Sequence, residues 1–319
     1  MCKRWGALGA FFPFSRNHNC RGNIDQDPGV WADRGHPEVT EATRNSLQLR
    51  YEMLPYFYTL FFRAHTYGQT VVRPVFHEFP TDENTISIDE QLMLGYSVLI
   101  SPFLYQVFIN WILIVFKNIN HIFHNQTEVK AYLPNHVWYE LIPNMTKVEK
   151  TGFVTLPDNK KGIPPIHLRG GSIIPVTAYV FESKHITTED VRRSPINLLV
   201  IPGAGKTAFG DLFWDDGDAI DTIENNEYNY YSFNLETNCA LDIRVIQSGY
   251  SGNQTLDSIT VFGTNGDEVE ATLDGKPVTT SIRDGKLGIS VKTNLDSKKA
   301  GEKWTIKWVS KKTKTCNIE

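Results

Sequence analysis

The chain has 319 residues, of which 41% are hydrophobic, 21% charged and 12% aromatic, with a formal net charge of −4. That length allows two or three domains, and the composition is that of an ordinary globular protein. A mildly acidic chain has no basic footprint, so nucleic acid is excluded as an expected partner. Thirteen Tyr and seven Trp suit β-rich packing. They also suit carbohydrate recognition, where flat rings stack on sugar faces, although core filling accounts for most of them.

An apolar run, Leu8-Gly9-Ala10-Phe11-Phe12-Pro13-Phe14, stops abruptly at Arg16-Asn17-His18. It reads as the C-terminal end of a buried barrel strand, over about residues 7–14, that delivers polar side chains into a pocket. A buried parallel strand takes its lateral hydrogen bonds from neighbours, and this one begins almost at residue 1. The expectation is therefore that the sequence opens in the middle of a domain. A long loop rich in Asn, Gly, Asp and Pro follows over residues 19–35, as at the working face of a barrel.

A helix is expected from Pro37, a residue that suits the first turn, to about His65. Leu47, Tyr51, Leu54, Tyr58 and Phe61 recur at three- and four-residue spacing and predict its buried face. Pro55 should kink or split it, and Gly68 is placed as its C-cap. Strand, loop and helix make one βα unit.

From Thr70 onward, short apolar runs alternate with turn residues. They predict strands over 71–76, 98–103, 129–133, 138–141, 166–168 and 173–176, then over 196–201, 208–214, 228–235, 240–247, 258–262, 270–273, 288–291 and 304–309. Asp274-Gly275 and Asp284-Gly285 have the composition of tight hairpin turns. With a boundary near residues 188–194, the spacing predicts two successive β-sandwiches. The domains expected are 1–68, 69–187 and 188–319.

Residues 107–124 do not fit that texture. The apolar centre, Trp111 to Phe116, is about a third of the roughly 20 residues that span a bilayer, and it is flanked by Asn, Lys and His, which excludes a transmembrane helix. Without the segment, the chain reads directly into the strand at 129–133. Translated intron is the expectation; a surface insertion or an amphipathic hairpin is the alternative.

Cys2, Cys20, Cys239 and Cys316 allow three pairings, and the sequence does not choose among them. Sequons at Asn125, Asn144 and Asn253 are candidate N-glycosylation sites and favour the secretory pathway. No signal peptide begins at Met1, because Pro13 and Arg16 interrupt the apolar run.

Several signals lead away from chemistry. Gly203-Ala204-Gly205-Lys206-Thr207 lacks the first Gly of a phosphate loop, Val200 standing where it would be. Asp215-Asp216-Gly217-Asp218 lacks the alternating ligands and terminal Glu of an EF-hand and reads as a turn. Adjacent Asp215 and Asp216 should diverge, so they do not form an acid/nucleophile pair. Asp25 and Asp27 should hold their loop by Asx-type bonds. His36, His65 and His77 are scattered and carry no role. Arg169-Gly170-Gly171 reads as a packing turn. No metal-ligand spacing is present, and no cofactor is expected.

The segments LGAFFPFSRNHN and DQDP, then LRYEMLPYFYTLFFRAHTYGQTVVRP, GYSVLISPFL, VKAYLP, HVWYE, IHLRGGSIIP and LFWDDGD, resemble glycoside hydrolase family 31, the α-glucosidases of maltase-glucoamylase, sucrase-isomaltase and lysosomal acid α-glucosidase type. The resemblance covers nearly the whole chain outside 107–124. It implies a mostly β fold, in which the last β/α unit of a (β/α)8 catalytic barrel is followed by a proximal and a distal β-sandwich. It also implies retaining cleavage of terminal α-glucosyl residues from maltose-like oligosaccharides. Such cleavage needs two carboxylates about 5–5.5 Å apart. In this family both are Asp on earlier barrel strands, the nucleophile in a W-x-D-M-N-E type motif. That motif is absent here, so no catalytic residue is assigned and the chain alone is expected to be inactive without the N-terminal part of the barrel. The resemblance carries over His18, and beside it Arg16, as substrate-binding residues. Secretory, extracellular, membrane-tethered or lysosomal location is implied for the parent protein. A non-catalytic, secreted sugar-binding or interaction protein built on the sandwiches is the alternative.

Overall fold

The computed structural model describes residues 2–104, 106–107, 124–125, 127–177 and 187–318. The chain forms two compact units, one of residues 1–48, 72–135 and 140–167, the other of residues 49–71, 136–139 and 168–319.

The first unit opens on helix α1 (Cys2–Gly9), not on a strand. The expected barrel strand over 7–14 is corrected: Phe11 and Phe12 donate back to Leu8 and Gly9 carbonyls at 2.9 and 3.3 Å, and residues 15–20 have no regular structure. A buried parallel strand exists only with lateral partners, and among the described residues no strand precedes Val72. After the short helix α2 (Val30–Asp33) comes α3 (Pro37–Glu52), which starts at the predicted proline. Close approach of α1 to α3 requires Gly6, because an added Cβ would lie 2.6 Å from Thr43 Oγ1. A second helix, α4 (Leu54–Tyr67), follows after Met53, has Pro55 in its first turn and ends at Gly68 in the left-handed region, φ +67°. The split and the cap are as expected.

The buried face is not. Ala42, Ser46, Leu49, Met53, Phe57 and Leu60 are buried, whereas Leu47 and Phe61 are 40% and 41% exposed. Apolar residues occur on more than one side of these helices, so periodicity alone does not pick the inner row. The surface they pack against does.

Strands β1 (Val72–Pro74), β2 (Leu92–Leu94) and β3 (Val98–Ile100) pair antiparallel. The first is shorter than expected because helix α5 (Val75–Glu78) takes over the end of the apolar run. β4 (Gln106–Val107) pairs with β5 (His124–Asn125), Gln106 opposite Asn125. The proposed intron between them lies almost wholly outside the described residues. β6 (Glu128–Leu133), β7 (Trp138–Glu140), β8 (Thr146–Lys147), β9 (Gly152–Pro157) and β10 (Ile166–Arg169) follow. β6 pairs with β9, and the remaining three extend the first sheet in the order β1-β2-β3-β10-β7-β8. The buried Gln91 side chain donates to Ser101 Oγ at 2.9 Å and to Tyr132 O at 3.1 Å, and accepts from Tyr132 N at 2.7 Å. Those bonds satisfy buried polar groups that would otherwise be costly.

The second unit is an 11-stranded sheet curled around one core. Its strands are β11 (Ser172–Thr177), β12 (Ile196–Ile201), β13 (Ala208–Trp214), β14 (Asn229–Glu236), β15 (Ala240–Ser248), β16 (Thr255–Val261), β17 (Val269–Leu273), β18 (Lys276–Val278), β19 (Thr280–Arg283), β20 (Lys286–Asn294) and β21 (Lys303–Ser310), in the order β18-β17-β21-β15-β14-β13-β11-β12-β16-β20-β19. β19, at one end of that order, reaches β17, the strand next to the other end, through Thr280 Oγ1, which donates to Val269 O at 2.8 Å. Helix α6 (Thr188–Arg193) precedes β12 and begins in a Thr187/Asp190 capping box. Asp274-Gly275 and Asp284-Gly285 are two-residue hairpin loops with positive φ at both positions, as primed turns require. Cys239 and Cys316 form a disulfide, while Cys2 and Cys20 are thiols. Helix α4 lies along β13: Phe62 stacks on Phe213 with ring centroids 4.3 Å apart, and Arg63 Nε pairs with Asp211 Oδ2 at 2.7 Å.

Candidate functional site

Arg16, Asn17 and His18 occupy an irregular, exposed segment between α1 and the loop of residues 19–35. The loop is fixed by its own side chains. Asn19 Nδ2 donates to Ile24 O at 2.8 Å and Asn19 Oδ1 accepts from Cys20 N at 2.8 Å. Asp25 Oδ1 accepts from Asp27 N at 3.0 Å, and Asp27 Oδ1 from Gly29 N at 2.7 Å. These are the Asx-type bonds expected of the two aspartates. Arg34 Nη1 donates to Asp25 O at 2.9 Å, and Thr40 Oγ1 to Pro28 O at 2.6 Å, which ties the loop to α2 and α3.

Two adjoining clefts open beside this segment. One, of about 350 Å³, is lined by Trp5, Phe12, Arg16, Asn17 and Leu47 among others. The other, of about 240 Å³, includes Cys2, Trp5, Asn17, Gln26, Trp31 and Thr43. Arg16 and Asn17 are thus brought to a cleft, whereas His18 stands exposed beside it and is not among the lining residues. The exposed indole of Trp5, the half-buried one of Trp31, amides and a guanidinium are groups that bind sugars, by ring stacking and by hydrogen bonds to hydroxyls. The sequence pattern did not single out Trp5 or Trp31. Trp5 is 51% exposed, and exposure of an apolar ring is not legible from composition.

The rejected signals fall where local chemistry puts them. Residues 203–207 form a turn leading straight into β13, with Gly203 N donating to Thr207 O at 3.0 Å; no helix follows to hold a phosphate. Asp215 and Asp216 diverge: Asp215 is buried and accepts from Tyr58, Thr222 and Gly217, while Asp216 Oδ1 accepts from Asp218 N and Ala219 N, both at 3.0 Å. Among the described residues no group of three His, Cys, Asp or Glu could hold a metal ion. His36 and His65 lie 3.3 and 3.4 Å from Glu38 and Glu224 at the surface. Asn144 and Asn253 are exposed. The side chain of Asn125 lies outside the described residues.

Against known proteins, residues 1–60 match the TIM-barrel domain of glycosyl hydrolases family 31, and residues 68–174 match the family 31 C-terminal domain. The chain is 38% identical over 263 residues to human intestinal sucrase-isomaltase, covering 82% of this chain and 13% of that protein. It is 32% identical over 332 residues to mouse lysosomal alpha-glucosidase, covering 97% of this chain and 31% of that one. In fold it is similar to the glucosidase II alpha subunit, with a TM-score of 0.72 at 22% identity over 96% of this chain and 33% of the other. The chain therefore spans a third or less of the length of these proteins.

Proposed function

This chain belongs to glycosyl hydrolase family 31, and from that premise we propose that it is the C-terminal part of a retaining exo-α-glucosidase. The substrates would be oligosaccharides ending in α-glucosyl residues, of maltose type. The supporting observation is the collinear match of the barrel end and the C-terminal domain, with Arg16-Asn17-His18 at the exposed end of the barrel segment. The domains are residues 1–68, 69–187 and 188–319, respectively the barrel end, the proximal sandwich and the distal sandwich.

In this reading His18 binds hydroxyls of the terminal glucose. An imidazole donates or accepts toward hydroxyls, and such bonds strengthen as the oxocarbenium-like transition state forms. Arg16 shapes the same pocket and offsets its acidic groups. The nucleophile and general-acid Asp belong to barrel strands outside residues 1–319. The secretory pathway is the proposed location, since the Cys239–Cys316 disulfide persists in oxidising compartments.

The test is hydrolysis of maltose by the 319-residue chain and by the same chain joined to an upstream family 31 barrel. The joined protein should turn over, and His18→Ala should lower its kcat/KM by roughly 100-fold, the worth of a hydrogen bond to a charged transition state. Turnover by the 319-residue chain itself would overturn the division of labour. Retention of the chain on a glucan matrix, with no turnover in either form, would favour a non-catalytic sugar-binding protein.

A further inference from the structure

We propose that Asn253 carries an N-linked glycan and that the first sugar of that glycan lies on the ring of Tyr250. The inference goes beyond the hydrolase reading and uses only its secretory-pathway location.

Asn253-Gln254-Thr255 is a sequon in the turn between β15 and β16. Asn253 is exposed and sits in the left-handed region, φ +56°, which Asn tolerates better than most residues. The chain on both sides is fixed. Before the turn, Asn229, itself 1% exposed, donates from Nδ2 to Tyr250 O at 2.7 Å and accepts from Tyr250 N at 3.1 Å. After it, the buried Gln254 donates from Nε2 to Ser194 O at 3.0 Å, and its carbonyl accepts from Leu295 N at 2.8 Å. The acceptor amide therefore projects from a short loop whose two ends are anchored.

Tyr250 supplies the second observation. It is partly buried, packed against the core of the second unit, and its ring folds over the turn. A Cβ added to Gly252 would lie 2.4 Å from Tyr250 Cε1, so the ring lies directly against the backbone of the turn. An aromatic face three residues before the acceptor, held against the turn that presents it, is placed to receive the C–H face of an attached sugar. A ring with few rotatable bonds offers that contact at low entropic cost.

The attachment forms one C–N bond and breaks two bonds, the sugar's C1–O bond to the lipid pyrophosphate and one amide N–H bond of Asn253. Asn253 Nδ2 bonds to C1 of the sugar of a lipid-pyrophosphate-linked oligosaccharide, the amide proton is lost, and the lipid pyrophosphate leaves. The host cell's glycosylation machinery supplies that donor.

The test uses the full chain secreted from a eukaryotic host, which separates it from any question of catalysis or native location. Peptide mass spectrometry should find Asn253 occupied. With glycans trimmed to the first N-acetylglucosamine, Asn253→Gln should lower the thermal midpoint by roughly 2–4 °C, the shift that about 1 kcal/mol of ring contact produces in a unit of this size. That loss should vanish in a Tyr250→Ala background and return in Tyr250→Phe, which keeps the ring. Should Tyr250→Ala fail to fold, the acetyl methyl of the first sugar gives an independent readout, since a stacked ring moves its NMR resonance upfield. An unoccupied Asn253 overturns the site. Occupancy with neither coupling nor upfield shift overturns the stacking.

Discussion

The Tyr58 hydroxyl donates to Asp215 Oδ1 at 2.7 Å, joining a helix to a sheet across 157 residues of chain. The same carboxylate accepts from Gly217 N at 2.9 Å and from Thr222 Oγ1 at 2.7 Å, and Arg192 donates to its backbone carbonyl. Burial, followed by the bond to Asp215, raises the Tyr58 pKa well above the ordinary phenol value, so the hydroxyl remains a donor at any physiological pH. An Asp that the sequence presents as a turn residue is in fact the acceptor on which α4 docks.

Removing one donor differs from removing the acceptor. Tyr58→Phe should cost about 1 kcal/mol, because Asp215 keeps two donors, whereas Asp215→Ala strands three donors and should cost about 3 kcal/mol. Urea unfolding of the two variants checks the ranking. Equal midpoints would mean that water satisfies the stranded groups and that the carboxylate does not organise the contact.

His167 should make the protein acid-sensitive. It is 1% exposed, its Nδ1 has no partner among the described residues, and burial pushes its pKa down to about 4. Above an unfolded value of about 6.5 the ring is neutral in both states and adds no pH dependence. Below it the unfolded chain takes a proton that the folded chain refuses until about pH 4, so stability falls as pH falls through that window. The loss approaches about 3 kcal/mol at its lower end. His136, lowered by burial and then by the nearby Arg169, contributes in the same direction. Denaturant melts from pH 7 to 4 should show a shallower decline for His167→Leu than for the native sequence; parallel declines would refute the assignment.

The Cys239–Cys316 bond closes a sequence separation of 77 residues. Constraining a loop of that length in the unfolded chain stabilises the fold by about 4 kcal/mol. Reduction, or the Cys239→Ala/Cys316→Ser double variant, should lower the thermal midpoint by roughly 10 °C. Cys20→Ser, at an exposed thiol, should leave it unchanged. A midpoint indifferent to reductant would show that the tail is held by its other contacts, such as Lys206 Nζ donating to Ile318 O at 2.7 Å.

Much of the fold was legible because its causes are local. Pro55 splits the helix, Gly68 caps it, the two Asp-Gly pairs turn hairpins, and the alternation at 196–201 and 208–214 marks the strands at the residues where they form. Asp25 and Asp27 hold their loop as their side-chain length dictates. The motifs around Arg16-Asn17-His18 were likewise readable, since they are a matter of residue identity.

What the sequence determined by itself is thus the family, the alternation of elements and the turn chemistry. Three things were settled only by tertiary structure. Cys239 pairs with Cys316 because the sheet brings β15 and the C-terminal tail together. The inner row of α3 and α4 is the one containing Leu49 and Phe57, not Leu47 and Phe61, because burial depends on the opposing surface and two apolar rows share the same period. The segment at 7–14 is helix and turn rather than strand, because a strand is defined by hydrogen bonds to neighbours and no run of apolar residues supplies them alone.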